Sequence, residues 1–158
     1  MGIKDKTCCF PGHRIISNND YDKVYNDTKK AVISLIEKGV RYYGAGGVLG
    51  FDTLAAQVVL DLKKEYPQIK LILVLPCANQ TMRWNQRDIE VYDDIKSKAD
   101  KVVTLSECYY EGCMQARNRY LVQGSNYCVC FLKNVYSGTG YTVRYAEQQG
   151  LTVLNVAD

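Results

Sequence analysis

The chain predicts an α/β domain in three layers, with a mainly parallel sheet of about six strands and helices on both faces. Three observations carry that reading. Short apolar runs alternate with longer stretches of helical period along all 158 residues. Most helical stretches stop at a glycine or proline, and there is no repeat or low-complexity segment that would suggest a solenoid or a linker.

Taken in order, residues 6–10 read as a first strand, closed by Pro11-Gly12. Residues 20–38 form a helix with Val24, Ala31, Val32, Leu35 and Ile36 on one face, ended by Gly39 as a C-terminal glycine would end it. Residues 40–44 are a second strand. Residues 53–65 are a helix with Leu54, Ala55, Val58, Val59 and Leu62 inward, stopped before Pro67. Strand 70–75 runs into Pro76, and residues 82–97 follow as a helix. Strand 101–105, helix 113–123, strand 125–132, helix 139–149 with Gly150 behind it, and strand 151–156 complete the alternation. Such an order implies right-handed crossovers, with ligands bound beyond the carboxyl ends of the strands.

Composition bounds the rest. A chain of this length with 47% hydrophobic residues and three prolines suits one core, so residues 1–158 are expected to form a single domain. No apolar run approaches the roughly 20 residues of a membrane span, and the N-terminal residues lack an apolar signal region; a cytoplasmic protein without membrane attachment is expected. Seven cysteines, four of them (Cys8, Cys9, Cys128, Cys130) inside apolar runs, read as a reduced interior and not as a disulfide framework. With His13 the only histidine, no zinc set of ordinary spacing can be assembled, and no metal is expected. The net charge of +3 comes with acids and bases interleaved, which marks solvated faces and disfavours nucleic acid as a partner.

The chemistry-bearing residues gather at strand ends. Gly12, His13 and Arg14 follow the first strand, where a guanidinium could clamp a phosphate and an imidazole could donate to it. After the second strand comes Gly44-Ala45-Gly46-Gly47-Val48-Leu49-Gly50-Phe51-Asp52. This cluster lets backbone N–H groups approach a ligand, although its spacing is one residue longer than the dinucleotide fingerprint. Asp52 reads equally as a helix cap or a contact to a ribose. Gln80 follows the third strand. Arg117 and Asn118 lie on a helix whose Met114, Tyr120 and Leu121 would face the core, so that by themselves they fit a solvent-facing pair. Gly138 and Thr139 open the last helix with N–H groups and a hydroxyl suited to an anion.

Taken together, Cys9-Phe10-Pro11-Gly12-His13-Arg14, Gly46-Gly47-x-x-Gly50-x-Asp52, Leu75-Pro76 with Gln80 and Trp84, Arg117-Asn118 and Gly138-Thr139-x-x-Thr142 resemble the YpsA-like family of the SLOG superfamily. The resemblance spans nearly the whole chain and extends to LOG-type phosphoribohydrolases and DprA/Smf proteins. It implies a Rossmann-like domain holding a ligand of the ADP-ribose, NAD or AMP type, and it marks Gly12, His13, Arg14, Gly46, Gly47, Gly50, Asp52, Gln80, Trp84, Arg117, Asn118, Gly138, Thr139 and Thr142 as pocket members. Thr142 stands where the LOG enzymes carry a glutamate.

The function expected is therefore binding of a nucleotide-derived ligand by a sensor or regulatory protein with no required cofactor. A homo-oligomer or a regulated partner protein remains open. The alternative is a nucleotide N-glycosidase, for which Asp52 is the best catalytic candidate, because an oxocarbenium-like transition state needs a carboxylate near the anomeric carbon.

Overall fold

A computed structural model describes residues 3–157. After a short 3-10 turn the strands are β1 (Thr7–Cys9), β2 (Tyr42–Ala45), β3 (Lys70–Leu75), β4 (Lys101–Thr104), β5 (Tyr127–Cys130) and β6 (Thr152–Asn155). The helices are α1 (Asn18–Glu37), α2 (Phe51–Lys63), α3 (Gln86–Lys98), α4 (Cys113–Gln123) and α5 (Gly138–Gln148). All strands are parallel, in the order β4-β3-β2-β1-β5-β6. The expected three-layer α/β architecture is present.

The two faces are written into the strands with a period of two. Cys8 packs with Phe10, Tyr43, Leu71, Leu73, Leu75 and Val129 under α1, α2 and α3, whereas Cys9, Cys128 and Cys130 turn to the other face and meet Val122, Val143 and Ala146 of α4 and α5. On α1 the buried residues are Val24, Thr28, Val32, Leu35 and Ile36, the apolar stripe of the sequence with a threonine in line. α1 lies against α2 and α2 against α3; α4 lies against α5.

The strand order reverses once. From β1 the chain moves outward through β2, β3 and β4, and α4 then carries it back to β5 on the other side of β1. Loops leaving β1 and β5 part in opposite directions there, which opens a crevice beyond their carboxyl ends.

Most element ends lie within two residues of the sequence pattern, and two helix starts that move have a visible local cause. α2 starts at Phe51, because Gly50 takes φ +84° and lies against the Arg14 backbone, a conformation and an approach that leave no room for a side chain. α3 starts at Gln86 and not near Met82, because the Asn85 side chain caps it by accepting the Asp88 N–H at 2.9 Å; Met82 stays in the preceding turns, 71% exposed.

Below the crevice the aromatic side chains form a chain. Phe10 stacks on Tyr43 at 6.1 Å, Phe51 meets Phe10 edge-on at 6.4 Å, and Phe51 stacks on Phe131 at 5.9 Å. They floor the loops after β1, β2 and β5 with fully buried surface. Phe51→Ala is therefore expected to destabilise the fold by about 3–5 kcal/mol in urea unfolding, whereas Ile15→Ala, at an 84% exposed position, stays within about 0.5 kcal/mol of wild type.

Candidate functional site

The crevice at the β1/β5 reversal holds a cavity of about 400 Å³. Its lining comes from the loop after β1 (Gly12, His13, Arg14), from Val48 and Asp52 at the start of α2, from one face of α4 (Met114, Arg117, Asn118, Leu121) and from the opening of α5 (Ser137, Gly138, Thr139, Thr142). Four separate segments of the sequence thus meet around one volume.

Its base is a buried ion pair. Arg117 is 3% exposed and Asp52 6%, so the solvent-facing reading of Arg117 does not hold. The α4 residues turned inward are Cys113, Arg117 and Val122, while Tyr120, expected in the core, is 48% exposed. The guanidinium has three partners. Nη1 donates to the Gly46 carbonyl, Nε donates to Asn118 Oδ1 at 2.8 Å, and Nη2 lies 3.9 Å from Asp52 Oδ2. Asp52 Oδ2 also accepts the Val48 N–H at 3.4 Å. From Asn118 the network continues: Nδ2 donates to Thr142 Oγ1 at 3.2 Å, and that hydroxyl donates to the Gly138 carbonyl at 3.1 Å. One arginine ties the β2–α2 loop and α2 to α4 and, through Asn118, to the first turn of α5.

The glycine cluster serves this knot. A Cβ at Gly46 would collide with the Arg117 guanidinium and reach Asp52 Oδ2 at 2.7 Å, so glycine there makes room for the arginine. Gly47 faces Leu75, Gln80 and Tyr92. Gln80 donates to the Gly47 carbonyl at 3.5 Å, and Trp84 packs edge-on against Tyr92 at 5.4 Å. Gly46, Gly47, Gly50, Gln80 and Trp84 therefore stand outside the cavity lining, whereas the other nine residues marked in the sequence line it. Ser137, Met114 and Leu121 also line it, although the sequence reads Met114 and Leu121 as core-facing and does not mark Ser137 as a pocket member. Ser137 was legible as the helix cap ahead of Gly138; Met114 and Leu121 share the i, i+3 and i+7 face of Arg117.

Electrostatically the site is a cationic cup around one acid. Burial pushes the Asp52 carboxyl up to about 6 against the pull of Arg117, the Val48 N–H and Arg14. Burial also lowers the Arg117 pKa, with Asp52 opposing the shift and Arg14 adding to it. Arg14 is exposed at the rim, and its guanidinium makes no hydrogen bond or ion pair among the described residues. Across the opening, Ser137 Oγ takes the Gly140 N–H at 3.1 Å and leaves the Gly138 and Thr139 N–H groups without a partner among the described residues. No helix among the described residues is long and apolar enough to cross a membrane.

A doubly wound α/β domain with a cavity at its strand-order reversal is the architecture of Rossmann-like domains. More narrowly, the chain belongs to the YspA SLOG family, whose YpsA model matches residues 16–152. A UPF0398 protein of Halalkalibacterium halodurans is 37% identical over 100 residues, covering 62% of this chain and 53% of that protein. One from Bacillus pumilus is 30% identical over 124 residues, covering 77% and 67%. The chain thus spans about half to two thirds of these relatives' length. Among solved structures, DNA processing protein A of Streptococcus pneumoniae has a TM-score of 0.69 at 18% identity, over 96% of this chain and 50% of that one. DNA processing protein A of Helicobacter pylori, which has a single-stranded DNA binding mode, scores 0.67 at 17% identity, over 96% and 65%. At these identities the two share the fold with this chain.

Removing one partner of the buried pair strands the other. Arg117→Met should cost about 3–5 kcal/mol in chemical unfolding. The pH dependence follows from the sign of the Asp52 shift. A carboxyl raised from 3.8 to about 6 holds its proton better in the folded state, so its contribution to stability is full below the unfolded value and is lost as pH rises through about 6. Unfolding free energies of wild type and Asp52→Asn, compared between about pH 4 and about pH 7, should differ by an amount that moves against wild type as pH rises.

Proposed function

We propose that the protein binds a nucleotide-derived ligand of the ADP-ribose, NAD or AMP type in this cavity, as a sensor or regulatory domain. The observation that carries the reading is the pairing, across one opening, of an arginine with a helix N-terminus whose first two N–H groups, like the guanidinium, have no hydrogen-bond partner among the described residues. Arg14 offers a planar cation able to grip a phosphate bidentately, and Gly138 and Thr139 offer backbone donors at the positive end of α5. Two guanidiniums face one carboxylate, so the opening favours an anion. A volume of about 400 Å³ lies within the range of small-molecule sites. The family membership and the switch-point placement support the same ligand class.

A second reading, cleavage of an N-glycosidic bond, rests on Asp52, which lines the cavity and titrates near neutrality at about 6. Against it, the Val48 N–H and Arg117 already engage its Oδ2, and Thr142 supplies a hydroxyl bonded to Gly138 in place of an acid.

Melting curves with ADP-ribose, AMP and NAD, with released base and nicotinamide measured on the same samples, separate these readings. Ligand at about 100 times its Kd should raise stability by about 2.7 kcal/mol with no base released, and Arg14→Ala should lose about 1.5–3 kcal/mol of affinity while melting as wild type does without ligand. No shift with any of the three, or tighter binding of a thymidine oligodeoxynucleotide than of ADP-ribose, would contradict the proposal.

A further inference from the structure

His13, the chain's only histidine, does not meet the cavity as a free donor. Its Nε2 accepts the backbone N–H of Lys133 at 2.9 Å and of Asn134 at 3.2 Å, so that nitrogen is unprotonated and the ring is neutral. The ring stands edge-on to Phe131 at 5.8 Å, and the His13 carbonyl takes the Phe51 N–H at 3.0 Å, which fixes the residue to the floor of the site. What the ring holds is the loop between β5 and α5.

That loop is braced by its own hydrogen bonds from Asn134 onward. Asn134 Oδ1 accepts the Tyr136 N–H at 3.0 Å, Ser137 Oγ donates to the Asn134 carbonyl at 2.6 Å, and Arg144 Nη1 donates to the Val135 carbonyl at 2.6 Å. The direction in which Gly138 and Thr139 present their N–H groups is thus set, through these bonds, by where Lys133 and Asn134 are held. The structure assigns His13 the role of a positioning residue: as a neutral acceptor it clamps the loop after β5 to the loop after β1, and protonation of Nε2 opens the clamp and weakens the anion site.

This rests on the nucleotide reading for its ligand but not for its geometry. Protonation turns an acceptor of two N–H groups into a donor facing them, and both bonds are lost together. Of the charged groups around the ring, Lys133 favours the neutral form. Lys133, exposed, lies over Phe131 at 5.6 Å and pairs with Asp20 of α1 at 3.2 Å; Arg14 adjoins His13 in sequence; Arg117 and Asp52 lie across the cavity. Burial first and Lys133 second hold the His13 pKa below its ordinary 6.5. The clamp is therefore sound at neutral pH and opens only as pH falls below the ordinary histidine range.

The sign separates a clamp from a contact. A histidine touching the phosphate would bind an anion better once protonated, and protonation of Asp52 near 6 would add to that gain by removing a negative charge. A clamp gives the reverse. ADP-ribose, whose diphosphate keeps its charge over this range, is titrated calorimetrically at about pH 7.5 and about pH 5.5. Wild type should bind more weakly at the lower pH, by less than the roughly tenfold loss that a histidine titrating at its ordinary 6.5 would give. His13→Ala should bind weakly at both. His13→Gln, whose amide oxygen accepts N–H groups without titrating, should restore binding at the higher pH and show no acid loss. A ligand-free measurement accompanies these: in NMR titrations of wild type the amide resonances of Lys133 and Asn134 should move with the same midpoint as the His13 ring. Affinity that rises on acidification, an unchanged acid loss in His13→Gln, or amides that ignore the ring would overturn the clamp. If ADP-ribose binds at neither pH, the nucleotide reading fails by itself and the amide titration still decides the clamp.

Discussion

The buried guanidinium of Arg117 is the interaction on which the rest of the site depends. Taking an arginine and an aspartate out of water costs several kcal/mol for each ion, and only a full set of partners repays it. Arg117 has that set in the Gly46 carbonyl, the Asn118 side chain and Asp52. Asp52 in turn sits in the first turn of α2, where the helix end favours its charge. The requirement runs outward from there, since the arginine needs a residue without a side chain at position 46 and a helix that crosses above β2. The glycine cluster and the path of α4 are two halves of one solution.

A single reversal of strand order then supplies the opening. With β1 between β2 and β5, the loops that follow it and β5 diverge and leave the cavity between them. Everything that lines it is held from behind. Aromatic rings support the loops, the Arg117 network ties three helices together, and the His13 ring joins the two loops that part. Among the described residues lining the cavity, the Arg14 guanidinium and the Gly138 and Thr139 N–H groups have no hydrogen-bond partner. On the proposed reading, donors held this way need little ordering when an anion arrives.

Much of this was legible in the sequence, for different reasons at different residues. The alternation of apolar runs identified every strand and helix, and helix 113–123 agrees with α4 at both ends. Two helix starts moved where a local device outweighed periodicity: the Asn85 cap for α3, and Gly50 against the Arg14 backbone for α2. Arg14, Gly138 and Thr139 were found because they stand at strand ends, which topology brings together. Gly46 and Gly47 were harder. A glycine that admits a ligand and a glycine that admits an arginine seventy residues away look alike in sequence, and only the fold tells which neighbour takes the space. Arg117 shows the same limit, since a charged residue on a polar helix reads as solvated until its buried partner is known. The proton state of His13 was invisible, because its partners are backbone N–H groups of a distant loop.

The central claim is that the β1/β5 cavity is the ligand site, and mapping amide chemical shifts by NMR as ADP-ribose is added tests it most directly. The account predicts that the largest changes fall on Gly12, Arg14, Gly138 and Thr139, with smaller ones at Asn118 and Thr142 behind them. Saturable changes confined to the other face of the molecule, or to the Gly47, Gln80 and Trp84 cluster alone, would contradict it.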